Sequence, residues 1–186
     1  MILYIDACAR VNSRTRALAD YLAGRLNGEI RHIYLCDKNI TAMDGKAVDF
    51  RNAKCAAGEF DDAMFENAKL FSEADEIIIA APFWDLSFPA VLKKYIESVC
   101  VTGVTFKYLD NGMPQGLCRA KKLYYVTTAG GQIFNESYGF GYISDLAKLM
   151  FGIPETVMFK AENLDIIGAD VDAIMDSAKR AIDEAL

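Results

Sequence analysis

The sequence predicts an α/β protein: a doubly wound, five-stranded parallel sheet with helices on both faces. Three observations carry the prediction. Short apolar runs alternate with amphipathic stretches along the chain. The runs read as strands buried on both faces, as in a parallel sheet clad in helices. The 186 residues hold five strand and helix pairs and suit one domain spanning 1–186.

In chain order, residues 2–5 (Ile-Leu-Tyr-Ile) form the first strand, and a helix over 14–26 follows with Ser13 as its N-cap. The second strand covers 30–35. Residues 36–59, rich in Asp, Lys, Asn and Ala, read as one long irregular stretch, at that length a functional or interface loop. A helix over 61–72 leads to the third strand, 77–81. The helix over 88–100 is the clearest: Phe88, Val91, Leu92, Tyr95, Ile96 and Val99 make one stripe, Lys93, Lys94 and Glu97 lie opposite, and Pro89 sits in the first turn. The fourth strand, 123–127, precedes a helix over 136–151. The fifth, 156–159, precedes a break at Gly168 and a helix over 170–185 striped by Val171, Ile174, Met175, Ala178 and Ile182. Right-handed crossovers between such strands give a sheet of the flavodoxin-like kind. Ligands of such sheets bind outside the carboxyl ends of the strands, so the loops after strands one, three and four matter most.

Charge and composition narrow the partners. The net charge of -6 opposes a general nucleic-acid or anionic membrane surface, so an anionic ligand needs a local device. The opening Met1-Ile2-Leu3-Tyr4-Ile5-Asp6 has no basic segment of a signal peptide. The longest apolar run, 77–84, is far short of the ~20 residues of a spanning helix. A cytoplasmic protein is expected. Its five cysteines (Cys8, Cys36, Cys55, Cys100 and Cys118) read as free thiols. With only His32 to join them, no metal site is expected, and His32 reads as a structural residue of strand two.

Each of the three loops has a feature that suits a ligand. After strand one, Ser13, Arg14 and Thr15 open a helix whose first-turn N–H groups and hydroxyls form a phosphate cradle; alternatively Ser13 only caps the helix. There is no GxGxxG and no Walker lysine. After strand three, Pro82, Phe83 and Trp84 form an edge and face for a flat ring, or else pack under a neighbouring loop or an interface. After strand four, Gly130 and Gly131 let the backbone approach a ligand and expose N–H groups. Together they suit one molecule with a phosphate tail and a flat polar ring.

Two resemblances follow. Cys8, Arg14 and Thr15, in the pattern Cys-x5-Arg-Thr after a first strand, resemble the nucleophile loop of low-molecular-weight tyrosine phosphatases, where a thiolate attacks a bound phosphate. The loop has no glycine, and the Asp-Pro that carries that family's general acid is absent. More extensively, Ala81-Pro82-Phe83-Trp84, Leu92-Lys93-Lys94-Tyr95, Gly103-Val104-Thr105-Phe106-Lys107-Tyr108, Asn111-Gly112, Gly116-Leu117 and Thr128-Ala129-Gly130-Gly131 resemble the FMN-dependent NADH azoreductases. These are flavodoxin-fold quinone reductases once labelled acyl-carrier-protein phosphodiesterases.

That resemblance implies an FMN-dependent NAD(P)H oxidoreductase reducing quinones or azo compounds by ping-pong two-electron transfer, with NADH or NADPH as donor. Ser13, Arg14 and Thr15 would hold the FMN phosphate. Pro82, Phe83, Trp84, Asp85 and Leu86 would contact the isoalloxazine, and Thr128, Ala129, Gly130 and Gly131 would close its other side. Tyr108 would line a substrate pocket completed in a homodimer. No side chain acts as nucleophile or acid; backbone N–H groups from Trp84 to Leu86 and at Gly130 and Gly131 would stabilise charge on the reduced ring. Three positions depart from the family pattern: Ala7 replaces a serine, Trp84-Asp85 replaces Tyr-Asn, and Ala129 stands where arginine is frequent. A flavodoxin-type electron carrier shares the fold and cofactor and differs in docking to protein partners.

Overall fold

The computed structural model describes residues 1–186. The central sheet contains β1 (Ile2–Asp6), β2 (Ile30–Tyr34), β3 (Glu76–Ala80), β6 (Lys122–Thr128) and β7 (Glu155–Ala161), all parallel, in the order β2-β1-β3-β6-β7. A separate antiparallel hairpin pairs β4 (Phe106–Tyr108) with β5 (Pro114–Gly116). Strand order reverses between β1 and β3, which puts the switch point where the loops after those strands diverge.

The sheet divides two cores by its period of two. Leu3, Ile5, Ile77, Ile79, Leu123 and Tyr125 face one side, where α3 (Glu66–Glu73), α4 (Ala90–Val99) and α5 (Tyr142–Asp145) pack. Tyr4, Ile78, Ala80, Tyr124 and Val126 face the other, covered by Leu18 and Leu22 of α1 (Arg14–Ala23) and Met175, Ala178 and Ile182 of α6 (Val171–Ala185). The stripe read from the sequence of α4 is the buried one: Leu92, Tyr95, Ile96 and Val99. α5 is flanked by π-wound turns, Ser137–Gly141 and Leu146–Phe151.

Four details differ from expectation. Residues 36–59 are not one irregular stretch, because α2 (Gly45–Ala57) lies within them, capped by Asp44 and by Gly58 at φ +69°. No residue of α2 is buried, so it lacks the apolar stripe that periodicity detects. The hairpin is a second departure: its strands are three residues each, too short for a period, and its turn signal is the Asn111-Gly112 pair. Pro89 is the N-cap of α4, one position before the first turn. Strand β2 is an edge, largely exposed, and not buried on both faces. His32 on it is structural, stacked 3.9 Å from both the Tyr4 and Tyr34 rings, and burial holds its imidazole below its ordinary value. No helix is long and apolar enough to cross a membrane.

Candidate active site

At the carboxyl edge of the sheet, the three loops meet around a cavity of about 360 Å³, within the range of cofactor pockets. Ser13, Arg14, Thr15, Pro82, Phe83, Trp84, Thr128, Ala129 and Gly130 line it. Asp85, Leu86 and Gly131 lie in the same loops outside the lining, and Tyr108 is exposed on the hairpin.

The loop after β1 is shaped by its helix. Ser13 adopts an extended backbone and its Oγ accepts the Arg16 N–H at 3.2 Å, a true N-cap. The N–H groups of Arg14 and Thr15 have no acceptor within the chain and carry the positive end of the α1 dipole. Two side chains are engaged in ways the sequence did not disclose. The Thr15 hydroxyl is buried against the Thr128 hydroxyl at 2.6 Å, tying the first loop to the third. Arg14 Nη1 donates to Asp165 Oδ1 at 2.8 Å and to the Leu164 carbonyl at 3.3 Å.

Asp165 and Leu164 belong to a fourth loop, after β7, which the sequence reading passed over along with Arg10 and Asn12 of the first. The signal was present: this loop also leaves the carboxyl edge, and it bends at Asn163 (φ +64°) and Gly168 (φ +83°). It fixes the paired glycines. The carbonyls of Ala129, Gly130 and Gly131 accept from the N–H groups of Leu164, Asp165 and Asn163 at 3.2, 2.9 and 3.1 Å. The N–H groups of Gly130 and Gly131 are left without acceptors in the chain. A Cβ at Gly130 would stand 2.3 Å from Asp165 Oδ2, so a larger residue would have to push the Asp165 carboxylate aside, and with it the partner of Arg14.

The loop after β3 holds backbone strain. Trp84 and Ser87 exchange hydrogen bonds of 3.1 and 2.8 Å across a two-residue turn, with Asp85 at φ +51° and Leu86 at φ +65°. Such turns favour Asn-Gly, and a side chain there costs about 1–2 kcal/mol. Two anchors hold it: Phe83 N–H donates to the Thr128 carbonyl at 3.0 Å, and Ser87 Oγ donates to the Tyr138 carbonyl at 2.5 Å. The turn uses the Trp84 N–H, so of the three expected donors only those of Asp85 and Leu86 lack acceptors.

The phosphatase alternative fails on geometry. Cys8 is buried, its Sγ lies 3.8 Å from the Ala80 carbonyl, and it does not line the cavity. Burial pushes its thiol up to about 12, so almost no thiolate forms at neutral pH. Arg14 meanwhile faces Asp165. Cys8→Ser is therefore expected to leave turnover unchanged, and in native protein a thiol reagent labels exposed Cys36 well before Cys8, as peptide mapping would record.

The flavodoxin-like fold family matches residues 1–186. FMN-dependent NADH:quinone oxidoreductase 2 of Clostridium acetobutylicum is 37% identical over 94% of this chain and 92% of its own. FMN-dependent NADH:quinone oxidoreductase of Coprothermobacter proteolyticus is 31% identical over 97% of this chain and 95% of its own. Among solved structures, an azoreductase from Bacillus anthracis superposes with a TM-score of 0.82 at 21% identity, covering 99% of this chain and 97% of that one. An FMN-dependent NADH-azoreductase of Bacillus anthracis in complex with FMN gives 0.77 at 19%, covering 99% and 96%. With fold, strand order and two full-length relatives in agreement, the chain belongs to the flavodoxin-like fold family, on the branch of the FMN-dependent NADH:quinone oxidoreductases.

Proposed function

We propose that the chain, as a single domain over 1–186, is an FMN-dependent oxidoreductase that takes a hydride from NADH or NADPH and passes two electrons to a quinone or an azo compound, working as a cytoplasmic homodimer. One observation carries this reading. A single cavity joins unpartnered N–H groups and the Ser13 hydroxyl to the Phe83 and Trp84 rings. A ligand with a phosphate and a flat heterocycle uses both.

The residues present fit FMN. The first turn of α1 offers the N–H groups of Arg14 and Thr15, and Arg14 spends only Nη1 on Asp165 and Leu164, leaving Nε and Nη2 for a phosphate. Thr128 and Ala129 set the cavity wall beside Gly130, and Pro82, Phe83 and Trp84 border the ring. The N–H groups of Gly130 on the lining, and of Asp85, Leu86 and Gly131 beside it, have no acceptor in the chain, which supports a role in stabilising negative charge on the reduced ring. When bound, FMN supplies the hydride acceptor and the store for two electrons. The protein supplies position, electrostatics and exclusion of water.

The homodimer reading rests on the apolar side chains about the carboxyl edge and hairpin. Val11, Phe134 and Ile167 are each at least 86% exposed, and Tyr108, Leu109 and Met113 are exposed on the hairpin. Initial rates at several NADH and quinone concentrations are expected to give parallel double-reciprocal lines. NADH consumption without a separate reductase distinguishes the enzyme from a flavodoxin-type carrier. Intersecting lines would contradict a ping-pong cycle, and no NADH consumption in the FMN-loaded protein would contradict the function.

A further inference from the structure

Arg16, which does not line the cavity, makes an unusual set of contacts behind it. Its Nη2 donates to the Cys8 carbonyl at 2.6 Å, and its Nη1 to the carbonyls of Arg10 and Val11 at 3.0 and 3.1 Å. Its Nε donates to Asp6 Oδ2. The Asp6 side chain is fully buried at the end of β1, and its Oδ1 accepts the Cys8 N–H at 2.7 Å. One planar fork thus gathers three carbonyls of a loop without glycine, with a buried carboxylate fixing the fork.

A trans peptide holds its C=O and N–H on opposite sides. The carbonyls of Cys8, Arg10 and Val11 share peptide planes with the N–H groups of Ala9, Val11 and Asn12. Turning the carbonyls onto Arg16 turns these N–H groups away from it, and none has an acceptor in the chain. Arg10, Asn12 and Ser13 of this loop line the cavity. The Arg16 charge is matched by Asp6, so its contribution to an anion is arrangement more than field.

We propose that Arg16, anchored by Asp6, is a positioning residue that holds residues 8–12 in an anion-binding conformation and thereby sets the affinity for the FMN phosphate. The inference rests on the flavin reading. Its test compares FMN with riboflavin, which lacks the phosphate, by titration of the ligand-free protein. Wild type is expected to prefer FMN strongly. Arg16→Lys keeps the charge beside Asp6 and loses the fork, and is expected to weaken FMN binding about tenfold or more, with riboflavin unchanged. Hydrogen exchange of the Cys8 amide, held by Asp6 Oδ1 at 2.7 Å, should quicken in step in the ligand-free variant. The double variant Asp6→Asn with Arg16→Gln removes both charges without leaving a buried one alone, carries the same expectation, and decides the matter if Arg16→Lys does not fold. Wild-type preference for FMN in the folded variant, with unchanged exchange, would overturn the role of Arg16. Failure of both double and single variants to fold would overturn it equally, since the pair would then hold the fold and not the loop. A wild type that binds FMN no better than riboflavin would overturn the phosphate reading beneath it.

Discussion

Gly116→Ala is expected to unseat the β4–β5 hairpin and lower stability by about 3 kcal/mol or more. A Cβ at this position would stand 2.1 Å from the Phe151 carbonyl carbon, 2.2 Å from the Gly152 nitrogen and 2.3 Å from the Phe151 oxygen. All are backbone atoms, so no side-chain rotation relieves the clash. The neighbouring hydrogen bonds depend on the same approach: Leu117 N–H donates to Thr105 O at 2.9 Å and Cys118 N–H to Phe151 O at 3.3 Å. For a chain of this size the loss corresponds to a fall of roughly 6–12 °C in melting temperature. Because the hairpin carries Tyr108, Leu109 and Met113, the proposed dimer and substrate pocket should fail with it. An unchanged melting curve would show that the hairpin does not dock as described.

Thr15→Val should cost about 1–3 kcal/mol, because it leaves the buried Thr128 hydroxyl without its 2.6 Å partner. The double variant Thr15→Val with Thr128→Val removes both hydroxyls and should recover most of that stability. FMN affinity should fall in the single variant, since the loops after β1 and β6 are no longer tied beneath the cavity. Thermal melts and FMN titration of the three proteins check this. A single variant as stable as the wild type would mean that the pair contributes nothing, and a double variant no more stable than the single would mean that the lone Thr128 hydroxyl carries no penalty.

The sheet was legible because its strands are apolar runs separated by striped helices, and right-handed crossovers make such a sheet doubly wound. What escaped had no such stripe. α2 buries nothing, so only its caps, Asp44 and Gly58, announced it. The hairpin strands are too short for a period, and only Asn111-Gly112 marked the turn. In the site, residue types revealed the three loops, because first-turn N–H groups, aromatics and paired glycines are local features. Engagement across the cavity was not local. The Arg14 pair with Asp165 spans 151 positions and the Thr15 pair with Thr128 spans 113, and no spacing rule couples residues so far apart. The Trp84 N–H was lost to a turn whose positive φ values fall on Asp85 and Leu86, residues that do not advertise it. The buried Cys8 shows the converse: a motif of the right spacing whose thiol is not part of the cavity lining it would have to serve.

The central claim is that one cavity serves donor and acceptor in turn through FMN, and anaerobic half-reactions test it most directly. With the FMN-loaded protein, NADH alone should bleach the yellow absorbance, with one NAD+ formed per flavin. A quinone added after removal of the nucleotide should restore the colour, with one hydroquinone formed. Persistence of the colour with NADH, or quinone reduction only while NADH is still present, would contradict the account.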